Sequence, residues 1–254
     1  MRRSFSAVFA VLTLLLVTAP AARAAEEIWG VTVNNNLINF ISSNPWAFSS
    51  RPITGLNAGD QVLGIDFRPA LPLGRLYALG ISGQLYRIDN PSSGVAVAVG
   101  PGGIVLSGTG FGLDFNPTVD RIRVISDADQ NLRLHPDTGL LAVTDAAIAY
   151  AGTDANAGQN AMAGGAAYTN SVAGATSTML FDIESNLDLL VTQAPPNNGT
   201  LNTVGPLGVN VSSVNGFDIS GVSGVAFAAF DIGGAQSSLY VINLSTGAAS
   251  LQGV

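Results

Sequence analysis

The chain has 254 residues, of which 47% are hydrophobic and only 11% are charged, with 30 glycines and no cysteine. Typical soluble domains carry about 25% charged residues, so this chain is poor in charge, yet it is too apolar to be disordered. The absence of cysteine excludes disulfides and thiolate metal sites. All ten basic residues are arginines, which excludes a Schiff-base lysine and a P-loop lysine.

The N-terminal segment has the pattern of a secretory signal peptide. Arg2 and Arg3 precede an apolar run from Ala7 to Val17, and Ala22-Arg23-Ala24 follows as a cleavage site. The alternative is a membrane anchor, but a spanning helix needs about 20 apolar residues, more than this run provides. We predict a signal peptide over residues 1–24, secreted or periplasmic residence, and no membrane span after cleavage.

The mature chain is acidic. Residues 25–254 carry 7 basic and 17 acidic residues, a net charge of −10. Phosphate backbones and anionic lipid surfaces are bound by clustered lysine and arginine. This balance argues against nucleic acid and against an anionic membrane as partners, and we expect a monomer.

After the signal peptide the chain consists of short β-branched and aromatic runs separated by Gly, Pro, Asn and Ser, which is typical of an all-β protein. The first runs are IWGVTV, NLINFI and a stretch near Phe48 to Leu56, and they form a partial unit without an opening strand. Four full units of four runs follow. They open at Gly64, Gly112, Gly165 and Gly216, at spacings of 48, 53 and 51 residues.

A period near 50 residues with four strands per period predicts a β-propeller. We predict one domain over residues 25–254 with five blades, the first incomplete, at approximately 28–60, 61–108, 109–160, 161–212 and 213–254. Two β-sandwich domains would also show many short strands, but repetition of the whole unit favours the propeller. We expect each opening glycine to let the chain turn inward from the previous blade without a Cβ clash.

Three stretches carry a family resemblance. They read GIDFRP followed by LYALG, FGLDFNPTVDRIRVISDADQNLRLHPDTG, and GATSTMLFDIESNLDLLVTQAPPNNGTLNTVG. Over Trp29 to Val254 the chain resembles the bacterial family catalogued as domain of unknown function 4394. The resemblance implies an exported, propeller-like protein. It implies no activity, cofactor or catalytic residue.

The opening strands contain the candidate site. Asp66, Asp114 and Asp218 hold equivalent places, and in a propeller this strand lines the central channel. Such a ring of carboxylates can bind a cation or a polar ligand. Alternatively, each carboxylate accepts backbone N–H bonds and ties one blade to the next. We assign candidate ligand binding to these three residues and, two positions on at the same mouth, to Arg68 and Asn116.

Other polar motifs predict structure rather than chemistry. Asp127 to Asn131 begins like a calcium loop, but Leu132 stands where that loop needs glycine, so a hairpin turn is favoured. His135, the only histidine, lies in a turn and has no second histidine with which to form a metal site. We expect Asp120, Arg121 and Arg123 to form a solvated or blade-edge ion pair.

Our first functional hypothesis is an exported, non-catalytic binding or scaffold propeller for a small molecule, glycan or protein. The repeated motif residues serve packing and turns, and no nucleophile–base constellation appears in the sequence. One alternative is a hydrolase or lyase that uses the channel carboxylates. Another is a structural module stabilised by a cation. We assign no catalytic residue, no metal-ligating residue and no cofactor.

Overall fold

A computed structural model of the protein describes residues 25–71, 75–231 and 237–253, so the predicted signal peptide lies outside the described residues. The strands form five small sheets arranged in a ring, which confirms the predicted five-bladed β-propeller. Within the described ranges the only helical element is a short 3-10 turn at Pro196–Asn198. None of the described residues forms a helix long and apolar enough to cross a membrane.

The first two blades differ by one strand. The first blade has three antiparallel strands, β1 (Glu27–Val31), β2 (Asn36–Ile41) and β3 (Asn44–Pro52). The second blade has four antiparallel strands in chain order, β4 (Val62–Phe67), β5 (Leu76–Gly80), β6 (Leu85–Ile88) and β7 (Val97–Val99).

The remaining blades repeat the four-stranded plan, with one addition. The third contains β8 (Phe111–Asn116), β9 (Arg121–Ser126), β10 (Asn131–Leu134) and β11 (Leu141–Thr144). The short strand β12 (Ala149–Tyr150) pairs in parallel with the outermost strand of the fourth blade, which contains β13 (Ala163–Tyr168), β14 (Leu180–Glu184), β15 (Leu189–Gln193) and β16 (Thr200–Pro206). The fifth contains β17 (Asn215–Ile219), β18 (Ala226–Phe230), β19 (Ser238–Ile242) and β20 (Ala249–Gly253).

Asparagine and aspartate close several of the hairpins. Asn35, Asp120 and Asp129 each lie at positive φ (56°, 51° and 62°) in the turns after β1, β8 and β9. These two residue types adopt the left-handed region more readily than other non-glycine residues. The turn at Asp127 to Asn131 is therefore the predicted hairpin turn, since it joins β9 to β10.

The apolar core lies between the blades. Four clusters of buried side chains fill the contacts between consecutive blades from the first to the fifth. Rings contact each other across these interfaces: Tyr77 of β5 meets Phe115 of β8 edge to face at 5.2 Å, and Trp29 of β1 meets Phe67 of β4 at 6.4 Å. Among the described residues no comparable cluster joins the fifth blade to the first. The ring is therefore closed by less apolar burial than its other joints.

Within residues 25–71, 75–231 and 237–253 the first blade has no innermost strand, as its sequence predicts. Tyr77 and Trp29 make the same edge-to-face contact with the next blade, and Tyr77 lies on the second strand of its blade. By this equivalence β1 is a second strand. The place of the innermost strand, between β17 and β4, is left without one in the described part of the chain.

The opening glycines serve a different purpose from the one predicted. None of the four lies at positive φ, so they do not form the turn between blades. Instead, a Cβ added to Gly64 would lie 3.0 Å from Leu113 Cβ, and one added to Gly112 would lie 2.6 Å from the Ala166 backbone nitrogen. A Cβ on Gly165 would lie 3.1 Å from Phe217 Cβ. The innermost strands of neighbouring blades approach so closely that only glycine fits between them.

Candidate functional site: the axial carboxylate triad

Three equivalent strands bring three carboxylates together. Asp66 on β4, Asp114 on β8 and Asp218 on β17 each offer one oxygen, and these three oxygens lie within 4.8 Å of one another. We call this cluster the axial triad. The structure therefore brings together the three aspartates that the repeat predicts, although they belong to three different blades.

Backbone N–H groups hold the triad in place. Asp66 Oδ1 accepts the N–H of Phe67 at 2.6 Å, and Asp66 Oδ2 accepts the N–H of Phe115 in the next blade at 2.7 Å. Asp114 similarly accepts a hydrogen bond from the backbone of Tyr168 in the fourth blade. The blade-to-blade role considered for these aspartates is thus present for two of them, and it fixes the carboxylates in position.

Two oxygens of the triad remain without donors among the described residues. Asp114 is 1% exposed, and its Oδ1 has no hydrogen-bond partner. Asp218 Oδ1 accepts the N–H of Ile219 at 2.7 Å, and no described donor reaches its second oxygen. Buried polar atoms are normally paired, so Asp114 Oδ1 in particular is an acceptor that an additional ligand would satisfy.

The environment of the triad disfavours three free negative charges. Burial, and then repulsion from Asp218, raise the pKa of Asp66 well above its usual value. Burial, and then repulsion from Asp66 and Asp218, do the same to the pKa of Asp114. Asp218 is open to solvent, yet the surrounding ring still desolvates its carboxylate and raises its pKa. A cation between the three carboxylates would offset this repulsion.

The geometry of the triad suits one bound cation. Calcium is bound by oxygen at about 2.3–2.6 Å, so two ligand oxygens on opposite sides of it are about 4.6–5.2 Å apart. The separations within the triad do not exceed 4.8 Å. Three ligand oxygens spaced evenly around the ion are about 4.0–4.5 Å apart, so this spacing lets the three side chains converge on one ion after small side-chain shifts, with water or another ligand completing its coordination.

Arg68 and Asn116 make their hydrogen bonds outside the axial triad. Arg68 is 6% exposed, and its guanidinium donates to Asp120, to Asp137 at 2.5 Å and to the Tyr77 hydroxyl. The amide oxygen of Asn116 accepts from the backbone and hydroxyl of Thr118 in the turn after β8. Both join or cap blade elements, and their predicted ligand binding stays a prediction.

The prediction that Asp120 pairs with Arg121 and Arg123 is wrong. Asp120 pairs with Arg68 of the second blade. Arg121 donates instead to two backbone carbonyl oxygens, that of Asp120 at 2.8 Å and that of Val119 at 3.4 Å. Arg123 is 1% exposed and pairs with Asp145 at 2.6 Å. Strand alternation places Arg121 and Arg123 on one face of β9 but does not reveal that this face packs against the fourth blade.

Sequence reasoning missed a buried polar layer between the third and fourth blades. Arg123 also donates to Asn131 and Asn197, both at 2.7 Å. Asp182 is fully buried nearby, and neither of its oxygens has a hydrogen-bond partner. Burial raises the pKa of Asp182 well above its usual value, and the charge of Arg123 only partly opposes this. A comparison of the repeats shows that a charged residue is unusual at the position of Asp182, because the equivalent residues of the other units are Ala78, Val124 and Ala228.

The lone histidine lies in a turn, as predicted. His135 follows β10, and its Nδ1 accepts the backbone N–H of Asp137 at 3.3 Å. This turn belongs to the third blade and carries the carboxylate that pairs with Arg68. The histidine thus has a structural partner in the turn that contains it.

The fold and site define a five-bladed propeller with carboxylates where its innermost strands meet. The chain belongs to the family described as domain of unknown function (DUF4394), which matches residues 36–254 and confirms the resemblance seen in the repeats. No curated protein sequence matches the chain.

Solved structures resemble the chain only distantly. Glutaminyl cyclase of Myxococcus xanthus is 14% identical with a TM-score of 0.45, and the match covers 86% of this chain and 96% of that one. PorZ, a component of the type-IX secretion system of Porphyromonas gingivalis, is 15% identical with a TM-score of 0.40, over 87% of this chain and 27% of that one. A putative 6-phosphogluconolactonase of Bacteroides uniformis is 9% identical with a TM-score of 0.40, over 89% and 81%. At this distance the matches carry no argument about function.

Proposed function

We propose that this chain is an exported, non-catalytic binding propeller and that its axial triad binds a divalent cation, with calcium as the best fit. The observation that carries the proposal is the convergence of the three carboxylates, one of which, Asp114, has a buried oxygen, Oδ1, with no donor among the described residues. Oxygen-only ligands of this kind are those that calcium prefers.

The accessibility of the triad supports binding over catalysis. Asp66 and Asp114 accept backbone N–H groups, and Asp114 is 1% exposed. A general acid or nucleophile must reach its substrate, and of the three carboxylates only that of Asp218 is well exposed. The arrangement therefore suits an ion held at the centre of the ring, with a ligand approaching from the side of Asp218.

Calcium titration tests this proposal. The protein, stripped with chelator at pH 7, is titrated with CaCl2 in a calorimeter, and its thermal unfolding is followed with and without the ion. We expect saturable binding and a raised unfolding midpoint, because a ligand that binds only the native state stabilises by about 2.7 kcal/mol at 100 times its Kd.

Two variants make the test specific. Asp114→Asn removes a charge from the triad and should abolish both effects. Asp89→Asn serves as the matched control, since Asp89 pairs with Arg75 and Arg87 at half-exposed positions outside the triad. Absence of binding heat and of any midpoint shift in the wild type would refute the proposal. A turnover lost in Asp218→Asn with the fold intact would support the hydrolase or lyase instead.

A further inference from the structure

In the described part of the chain, the first blade has no innermost strand, which leaves a gap in the wall of the ring. The gap is bordered by the inner edge of β1, which among the described strands pairs only with β2, and by β4 and β17 of the two neighbouring blades. We call this gap the blade-one slot. An unpaired strand edge presents backbone N–H and C=O groups that an extended chain can bind.

Solvent exposure indicates that no strand among the described residues covers the slot. All five residues of β5 and all five of β14, which are second strands like β1, are buried. In β1, by contrast, Glu27 is exposed and the four residues from Ile28 to Val31 are only partly buried. The difference lies where an innermost strand would cover β1.

Gly216 and Phe227 of the fifth blade are less covered by the described residues than their equivalents in the other blades. Gly64, Gly112 and Gly165 each contact the innermost strand of the next blade. Of the described atoms, a Cβ on Gly216 would meet only Ala229 Cβ, at 3.6 Å and in its own blade. Phe227 lies opposite Asp218, as Tyr77 lies opposite Asp66. Tyr77 is 1% exposed, but Phe227 is only partly buried.

The hydrogen bonds of the axial triad also indicate that the described part of the first blade has no innermost strand. Asp66 and Asp114 each accept an N–H from the innermost strand of the following blade. Asp218 belongs to the fifth blade, so its equivalent donor would come from the missing strand of the first blade. Its second oxygen has no described donor, which is the result expected if that strand is supplied from elsewhere.

We propose that the blade-one slot binds an extended peptide segment of a partner protein, added antiparallel to β1, with the local pattern apolar–basic–apolar. The residue opposite Trp29 would take the place that Asp66, Asp114 and Asp218 hold in their blades. A fourth carboxylate there would be repelled, whereas lysine or arginine is complementary in charge. Three ionised carboxylates with one divalent cation retain one negative charge, so the peptide and the ion are compatible.

The apolar positions follow from the complete blades. Leu113 and Phe115 flank Asp114; Leu113 faces Gly64, and Phe115 covers Tyr77. In the slot, the residue before the basic one would face Gly216 in the same way. The residue after it would cover Phe227 and donate its N–H to Asp218. Exposed Glu27 adds to the negative charge at the edge of the slot.

A synthetic peptide based on the chain's own innermost strand tests the proposal. The probe is a fluorescein-labelled heptapeptide with the sequence of residues 111–117 and lysine in place of Asp114. It is titrated into the exported protein, whose N-terminus is first determined by mass spectrometry. We expect saturable binding by fluorescence anisotropy, and a raised unfolding midpoint because the peptide would strengthen the least apolar joint of the ring.

Two control peptides isolate the two recognition elements. The peptide with the aspartate retained lacks the basic charge. A peptide with lysine and an N-methylated residue at the position of Phe115 lacks the donated N–H. Each should bind at least about tenfold more weakly than the probe. Equal binding of all three peptides would overturn the proposal.

A variant of the protein identifies the slot as the binding place. Gly216→Val places a side chain where, among the described residues, a new Cβ would have only Ala229 Cβ at van der Waals distance, so it should keep the fold and the calcium response while abolishing peptide binding. Gly152→Val is the matched control, since a Cβ on Gly152 meets nothing within 4 Å. Peptide binding that survives Gly216→Val would contradict the proposal.

The other occupants are distinguishable outcomes. A protein that retains residues 1–24 and binds the probe only after their removal would show that its own N-terminus fills the slot. A dimer in light scattering that dissociates on Gly216→Val would show that a second copy does so. Either result overturns the proposal, as does a wild type that binds calcium but not the probe. Loss of calcium binding alone would refute only the proposed function.

Discussion

Alanine substitution at two equivalent glycines should have opposite effects on stability. Gly112 and Gly216 open the third and fifth blades, and neither has a positive φ, so alanine is conformationally allowed at each. At Gly112 the new Cβ would lie 2.6 Å from the Ala166 backbone nitrogen and 2.8 Å from Ala166 Cβ. At Gly216 it would lie 3.6 Å from Ala229 Cβ, its one neighbour within 4 Å in the part of the chain that the structure describes.

The magnitudes follow from these distances. Overpacking against a backbone that cannot move aside costs about 1–3 kcal/mol, so Gly112→Ala should lower the free energy of unfolding by that amount. Gly→Ala at an unstrained site stabilises by about 0.4–1 kcal/mol, because it restricts the unfolded chain, so Gly216→Ala should be mildly stabilising. The two variants should therefore differ by about 1.5–4 kcal/mol.

Urea unfolding monitored by tryptophan fluorescence measures this difference. Each variant should show an unchanged slope m, with the midpoint shifted down for Gly112→Ala and up for Gly216→Ala. Circular dichroism checks that the strand content is retained. Equal destabilisation of both variants would contradict an open space beside Gly216, because it would mean that this side of Gly216 is also covered by an innermost strand.

Further predictions concern the charged groups. Arg68→Ala should lower the free energy of unfolding in urea by about 1–3 kcal/mol, because it leaves Asp120 and Asp137 without their buried partner. Arg68→Lys should restore only part of this loss, because lysine lacks the planar, forked donors with which arginine bonds both carboxylates. Asp60→Asn should destabilise the protein by about 1–2 kcal/mol at pH 7. Burial raises the pKa of Asp60, but hydrogen bonds from Tyr86 and Ser82 outweigh burial, so the pKa is lowered overall. The stability difference from wild type should therefore shrink as the pH falls below about 4, and a difference that stays constant would contradict this. In the presence of chelator, the free energy of unfolding of the wild type should fall as the pH rises from about 4. The pKa values of the axial triad are raised in the folded state, so the folded state keeps protons that the unfolded state has already lost. Calcium should reverse this fall, and an ion-independent pH profile would argue against the site.

The repeat made most of the fold predictable. Equivalent runs such as Ile65 to Pro69 and Leu113 to Pro117 repeat both the strand pattern and its breaks, so the number of blades and the short first blade follow from the sequence. The convergence of the axial triad follows too, because equivalent residues on innermost strands must face one axis. Local periodicity could not predict β12, which pairs in parallel with a strand about 50 residues later.

The remaining differences arise from contacts between blades. Alternation along β4 places Arg68 beside Asp66, but β4 ends at Phe67 and the side chain turns to Asp120 instead. The apolar neighbours of Asp182 predict a buried strand, but no local pattern shows that its carboxylate lacks a donor. The closeness of Gly112 to Ala166 likewise depends on how two blades pack and not on either strand alone.

Anomalous diffraction from a crystal grown with calcium, or with terbium in its place, tests the central claim most directly. We predict one strong peak among Asp66, Asp114 and Asp218, about 2.3–2.6 Å from an oxygen of each, with Asp114 Oδ1 among its ligands. A map without a peak there, in which Asp114 Oδ1 is instead satisfied by an ordered water, would contradict it.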